Sequence, residues 1–312
     1  MLRNALLYLS SQPLVFKFVR KNSMAKSFAG RFVAGETLET ALAAVKRLNA
    51  KGITATLDLL GESVRNEGEA RESARQYLEM LDEIRKRNLN ANASVKLTAM
   101  GLDISEDLCV SNMQNILDKA RDYESFVRLD MEGSDYTEKT LDLFYERLYP
   151  SYRGNVGIVL QSYLYRTTSD IEVANKAGAR VRLCKGAYKE PATVAYPDKK
   201  DVDDSYLRGM KLLLTDGHYP GIATHDEAIV TAVKRFARES DIASEKFEFQ
   251  MLYGVRRDLQ EKLVKEGFRM RVYVPYGTQW YPYLMRRLAE RPANVMFIIG
   301  NVIKEMVGRS KS

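Results

Sequence analysis

Cysteine and histidine are scarce in this chain of 312 residues: there are two of each, Cys109, Cys184, His218 and His225. They stand at no spacing that zinc uses, so no metal site is expected. Two cysteines without a pairing pattern fit a reducing compartment, and a core of this size needs no disulfide. Long apolar runs are also missing. With no stretch of about 18 apolar residues, no membrane-spanning helix is expected. No secretory cleavage pattern appears. Neither G-x-G-x-x-G nor G-x-x-x-x-G-K-[ST] occurs. An open, doubly wound nucleotide-binding sheet normally carries the first of these after its first strand, so that alternative is disfavoured.

Acidic residues are absent before Glu36, whereas Arg3, Lys17, Arg20, Lys21, Lys26 and Arg31 are basic. The net charge is +7, so nearly all of it lies in that segment and the rest of the chain is close to neutral. No nucleic-acid partner is expected. Residues 1–35 form a basic N-terminal helical arm with three open readings. It packs on the body, or it touches an anionic membrane surface through Leu6, Leu7, Val15 and Phe16, or it is an organelle transit peptide. The expected location is cytoplasmic. It becomes peripheral on the inner face of the membrane in the second case, and mitochondrial only in the third.

What is present is alternation. Eight short runs rich in β-branched and aromatic residues read as strands: 53–60, 92–100, 126–132, 155–162, 180–186, 221–227, 246–253 and 269–277. Amphipathic stretches between them read as helices at 68–88, 108–120, 135–149, 169–178, 203–215, 227–239, 256–266 and 279–290, with an extra one at 36–50. Ser169–Asp170 is the expected N-cap of the fourth of these, and Gly178 its stop. Eight strand–helix units without a linker or repeat predict an α/β fold, a (β/α)8 TIM-type barrel over residues 36–312 with additional N-terminal helices.

Strand side chains alternate between two faces. If the apolar set of each run packs outward on helices, the inward set is polar. It includes Ser94, Lys96 and Thr98; Arg128, Asp130 and Glu132; Arg180, Arg182 and Cys184; Glu248 and Gln250; and Arg269, Arg271 and Tyr273. The same parity turns Asp58, Gln161 and His225 inward. Any one of these reads most simply as a satisfied interior ion pair. Eight polar groups together, Asp58, Lys96, Asp130, Gln161, Arg182, His225, Gln250 and Tyr273, point to a site at the C-terminal strand ends, where barrel enzymes bind their ligands. The pocket is net cationic. Arg286 and Arg287, beside Tyr281 and Tyr283, suit a small carboxylate, which arginine holds bidentately; a solvated basic helix face explains them equally well on spacing alone.

Seven segments follow one another along these strands and the last helix: Ser94-Val95-Lys96-Leu97, Leu129-Asp130-Met131-Glu132, Leu160-Gln161-Ser162-Tyr163, Val181-Arg182-Leu183-Cys184-Lys185-Gly186-Ala187-Tyr188, Ala223-Thr224-His225, Glu248-Phe249-Gln250-Met251-Leu252 and Tyr283-Leu284-Met285-Arg286-Arg287-Leu288. In this order they resemble the proline dehydrogenase family, a flavoprotein barrel found alone or as the catalytic module of bifunctional proline-utilisation proteins. The similarity runs from about residue 53 to 300.

The resemblance implies FAD over the barrel mouth and oxidation of L-proline to Δ1-pyrroline-5-carboxylate, the first step of proline catabolism, by hydride transfer from C5 to flavin N5. It implies that Lys96, Arg286 and Arg287 bind the carboxylate, and that Leu252, Tyr273 and Tyr283 pack the ring. Arg182 then lies close to flavin N5, where positive charge favours the reduced anion. Asp130 orders the pocket and balances its cations. Met131, Gln161, Lys185, Gly186, Ala187, Thr224 and His225 match flavin contacts. Glu62 resembles an acid that pairs with a substrate arginine in the empty site. Tyr273 favours proline over hydroxyproline, because its hydroxyl would crowd a ring substituent at C4. The stretch from Gly277 to Tyr283 is shorter than in the bifunctional relatives, so Trp280 and Tyr281 stay unassigned. The implied electron acceptor is a membrane quinone. With no aldehyde-dehydrogenase module in the sequence, a separate pyrroline-5-carboxylate dehydrogenase would take the product. Two rivals remain at this point: another barrel flavoenzyme such as a folate-type reductase, and a non-catalytic barrel that binds a carboxylate.

Overall fold

A computed structural model describes residues 29–290 of the chain, so most of the basic arm and the tail from 291 lie outside the described residues. Eight parallel strands close into a barrel in sequence order. They are β1 Thr54–Leu59, β2 Ala91–Val95, β3 Val127–Leu129, β4 Val156–Gln161, β5 Arg180–Cys184, β6 Gly221–Ala223, β7 Glu248–Leu252 and β8 Met270–Tyr276. Helix α1, Leu38–Asn49, precedes β1 and is additional to the barrel repeat. The others follow the strands: α2 Glu67–Lys86, α3 Glu106–Asp122, α4 Ser134–Asp142, α5 Thr167–Ala177, α6 Lys199–Asp216, α7 Glu227–Glu239, α8 Arg257–Lys265 and α9 Trp280–Glu290. Helix α4 continues through a π-helical stretch, Leu143–Leu148, into Tyr149–Tyr152.

Local chemistry sets the ends. Asn66 caps α2 by accepting from the Glu69 amide at 3.0 Å, and Asp226 caps α7 by accepting from Ala228 at 3.1 Å. Gly178 ends α5 in the left-handed region, as its position predicts. The start of α5 differs from expectation. It begins at Thr167, because the Thr167 hydroxyl bonds the Gln161 carbonyl and Arg166 pairs with Asp170 at 2.9 Å. Asp170 therefore sits inside the first turn instead of capping it.

The outward faces of the strands form the core with the helices. Leu57, Val95, Leu129, Ile158, Val181, Ile222, Phe249 and Val272 are all buried there. Helix α2 turns Ala70, Ala74, Tyr77, Met80, Leu81 and Ile84 toward them. Truncating Leu81 to alanine would cost about 2–5 kcal/mol. Tyr77 also donates to the Ser94 carbonyl at 2.9 Å, which ties α2 to β2. The strands end before the sequence runs do, and by the most at three of them. β2, β3 and β6 end at Val95, Leu129 and Ala223, so Lys96, Asp130 and His225 sit just past the strand ends. After β2 the chain turns at once into a 3-10 helix, Leu97–Met100. Parity fails beyond these points. Thr98 and Glu132, expected to face inward, bond each other at 2.6 Å outside the cavity described below.

Candidate functional site

A cavity of about 530 Å³ lies at the C-terminal ends of the strands. All eight polar groups expected there line it: Asp58, Lys96, Asp130, Gln161, Arg182, His225, Gln250 and Tyr273. So do Met131, Lys185, Gly186, Ala187, Thr224, Leu252, Tyr283, Arg286 and Arg287. The lining holds six basic side chains (Lys96, Arg182, Lys185, Lys199, Arg286 and Arg287) against three acidic ones (Asp58, Asp130 and Asp226), which makes it net cationic.

Its floor is a closed hydrogen-bond network centred on Asp130. One carboxylate oxygen of Asp130 accepts from Ser94 Oγ at 2.6 Å and Arg182 Nη1 at 2.8 Å. The other accepts from Tyr273 Oη at 2.7 Å. The Arg182 guanidinium lies 5.3 Å from the centre of the Tyr273 ring, and its Nε donates to Gln250 Oε1 at 2.6 Å. Beside this, Lys96 Nζ bridges both oxygens of Asp58 at 3.0 and 3.1 Å and stands 4.0 Å from Asp130. Burial opposes the Lys96 ammonium, but Asp58 and Asp130 outweigh it and hold its pKa above the ordinary lysine value. Burial dominates for Tyr273, with Asp130 adding to it, so its hydroxyl stays protonated and acts as a donor.

Helix α9 and the loop after β5 add to the lining, and Glu62, from the loop after β1, reaches Arg286 from outside it. Arg286 Nη1 donates to Glu62 Oε1 at 3.0 Å, and its guanidinium lies 5.7 Å from the Tyr188 ring. Burial alone would raise the Glu62 carboxyl, yet Arg286 and Lys96 outweigh it and hold it below the usual range. Arg287 sits 5.2 Å from the Tyr283 ring. Tyr188 lines the cavity although the sequence reading gave it no role. The hint available was an aromatic residue directly after Gly186–Ala187. Lys199 and Asp226 were also missed: Asp226 pairs with Lys185 at 3.0 Å, and Lys199 approaches it at 3.8 Å.

Several features of the cavity lining fit a flavin. The Gln161 side-chain oxygen, Oε1, is buried without a hydrogen-bond partner, while its Nε2 donates to the Met131 carbonyl at 3.4 Å. An orphan acceptor in a cavity calls for a ligand N–H, of which the isoalloxazine ring has one. Gly186 has φ +109°, and a Cβ there would meet the Tyr163 ring at 2.5 Å, so only glycine brings the backbone to the cavity edge at this point. His225 Nε2 accepts from the Leu252 amide at 2.9 Å, which fixes the ring and leaves that nitrogen without a proton.

A closed parallel barrel with a polar cavity at the C-terminal ends of its strands is the arrangement of a (β/α)8 enzyme, here one with a cationic lining. Comparison with known proteins narrows the class. Residues 41–299 match the family model described as Proline dehydrogenase. Proline dehydrogenase 1 of Bacillus subtilis (strain 168) is 43% identical over 305 residues, which is 98% of this chain and 100% of that one. The proline dehydrogenase of Deinococcus radiodurans is 42% identical over 305 residues, 97% of this chain and 98% of its own. Among solved structures, proline utilization A (PutA) from Bdellovibrio bacteriovorus, inactivated by N-propargylglycine, superposes with a TM-score of 0.79 at 27% identity, covering 91% of this chain and 38% of that one. The chain belongs to the proline dehydrogenase family of oxidoreductases.

Proposed function

We propose that the chain oxidises L-proline to Δ1-pyrroline-5-carboxylate with bound FAD. One observation carries this reading: Lys96, Arg286 and Arg287 share a single cavity with Tyr188, Leu252, Tyr273 and Tyr283. That combination offers cations for a carboxylate and an apolar flank for a five-membered ring. Membership of the family supports the substrate. When bound, FAD supplies at N5 an acceptor for the hydride that leaves proline C5.

The protein's own contribution is orientation and charge. Lys96, Arg286 and Arg287 fix the carboxylate, and the tyrosines and Leu252 exclude water from the ring. Arg182 offers a positive charge to the flavin. Asp130 accepts from Ser94, Arg182 and Tyr273 at once, so it orders these groups around the site. Met131, Gln161, Lys185, Gly186, Ala187, Thr224 and His225 hold the cofactor in this reading. The electrons pass to a membrane quinone, with the basic arm of residues 1–35 making the peripheral contact, and a separate pyrroline-5-carboxylate dehydrogenase takes the product. No helix among the described residues is long and apolar enough to cross a membrane. Co-sedimentation with anionic liposomes should be lost on removal of residues 1–35; equal binding of the truncated protein would reject the arm's role.

The central test is an anaerobic titration of purified, yellow protein. L-proline should bleach the flavin absorbance in a saturable way. Bleaching by NADH and not by proline would overturn the reading in favour of a reductase, and a colourless protein that FAD cannot reconstitute would favour a carboxylate-binding barrel.

A further inference from the structure

Below the cavity floor, a chain of polar side chains runs down the barrel interior from Arg182. Arg182 Nε donates to Gln250 Oε1 at 2.6 Å, and Gln250 Nε2 donates to Glu248 Oε1 at 2.6 Å. Glu248 Oε1 also accepts from Arg271 Nε at 2.7 Å, and its Oε2 accepts from Tyr219 Oη at 3.2 Å. Arg271 is tied in turn to the Ala55 carbonyl at 2.8 Å. Gln250 lines the cavity and Glu248 does not. Glu248 is only 4% exposed. Gly221 on β6 leaves the space the amide needs, since a Cβ there would stand 2.4 Å from Gln250 Nε2.

An amide between a guanidinium and a carboxylate has two orientations. In one, its oxygen meets the guanidinium N–H and its NH2 meets the carboxylate, and both contacts are favourable. In the other, donor faces donor and acceptor faces anion, and both are unfavourable. The Glu248 charge therefore selects the orientation of Gln250, and Gln250 fixes one edge of the planar Arg182 guanidinium. Asp130 fixes another edge through Nη1. Two anchors on a rigid planar group define its plane. We propose that Glu248 is a positioning residue for Arg182: acting through Gln250 from beneath the site, it sets the plane in which the guanidinium faces the flavin.

This rests on the reading that Arg182 serves a bound flavin, and the experiment keeps the two apart. It uses FAD-loaded protein and two quantities: the flavin midpoint potential, measured by chemical reduction without proline, and the saturating rate of flavin reduction by proline, together with the proline dissociation constant. Glu248→Gln should make the potential more negative and slow reduction by about tenfold, the equivalent of one charged hydrogen bond. Proline affinity should change less than about twofold, because Arg286, Arg287 and Lys96 are untouched. Gln250→Met leaves the Glu248–Arg271 pair intact and should give the same two changes, and the double variant should be no worse than either single one. If Glu248→Gln does not fold, Gln250→Met and its potential carry the test. A wild-type potential and reduction rate in either folded variant would overturn the positioning role, as would additive losses in the double variant. If wild-type protein is not bleached by proline, the proposed function fails instead, while the shift in potential still reports on Glu248.

Discussion

Replacing Arg286 by alanine tests the carboxylate site most directly when it is paired with Glu62→Gln. In the structure the Arg286 guanidinium holds Glu62 at 3.0 Å, with the two side chains 15% and 31% exposed. In the proposed role, a substrate carboxylate competes with Glu62 for that guanidinium. Loss of one charged hydrogen bond to substrate is worth roughly 1.5–3 kcal/mol, or about 10- to 150-fold in binding. The displaced ion pair offsets part of this, since a partly exposed pair contributes about 0.2–1 kcal/mol. Arg286→Ala should therefore raise KM for proline by roughly 2- to 100-fold, with kcat changed far less. Glu62→Gln removes the competitor and should lower KM by roughly 1.5- to 5-fold. Arg286 and Lys96 hold the Glu62 carboxyl below its usual range, so it stays ionised at neutral pH and the competition is relieved only in acid. Steady-state kinetics with an artificial quinone acceptor would measure both constants, with anaerobic titration checking the binding. An unchanged KM in Arg286→Ala, or a raised one in Glu62→Gln, would refute the reasoning.

Three further outcomes follow from the same geometry. Arg182→Lys keeps a charge but loses the fork that joins Asp130 to Gln250, so flavin reduction at saturating proline should slow by about 10²-fold, with a proline dissociation constant close to wild type; stopped-flow spectroscopy separates the two. Gly186→Ala puts a Cβ into the Tyr163 ring at positive φ; together these should cost about 2–5 kcal/mol and lower Tm by roughly 5–15 °C. Gly154→Ala, where a Cβ meets nothing within 4 Å, should leave Tm unchanged and serves as the control. Burial raises the Glu132 carboxyl to about 7. The folded state therefore binds its proton more tightly than the unfolded chain, so this stability is present at low pH and is lost as pH rises from about 4.5 to 7. Glu132→Gln should flatten the decline of stability between pH 5 and 8 by up to about 3 kcal/mol, measured by urea unfolding; an unaltered slope would contradict the buried-acid account.

The barrel was legible because its units are written in two periods, and the site because parity separates the strand faces. Val127 and Leu129 pack outward while Arg128 points to the interior, and that alternation alone selects Arg182 and Tyr273. It weakens where strands end. Lys96, Asp130 and His225 still reach the cavity from the first or second residue beyond, whereas Thr98 and Glu132, one step further, turn to each other. Tyr188, Lys199 and Asp226 sit in or next to loops that carry neither period, so their convergence on the cavity depends on chain paths that local pattern does not encode. The cap of α5 was misjudged for a similar reason. Arg166 and Thr167 anchor that helix through contacts to Asp170 and Gln161, and Ser169 and Asp170 offered a local alternative that the fold does not use. The polar chain beneath Arg182 was visible as inward residues; its order, Arg182 to Gln250 to Glu248 to Arg271, was not.

Closure of the barrel has a consequence in time. The seam pairs Thr54 through Leu59 of β1 with Arg271 through Tyr276 of β8. One bond across it, from Arg271 to the Ala55 carbonyl, joins residues 216 positions apart. Asp130 already bonds Ser94 from the strand before it, but its third partner, Tyr273, belongs to the last strand. During synthesis, then, the first half of the chain must wait with buried acids and bases only partly matched until the end of the barrel emerges. If the barrel holds FAD as proposed, its lining is complete only when β8 and α9 are in place, and flavin colour appearing in a refolding or translation experiment would mark the moment the ring closes.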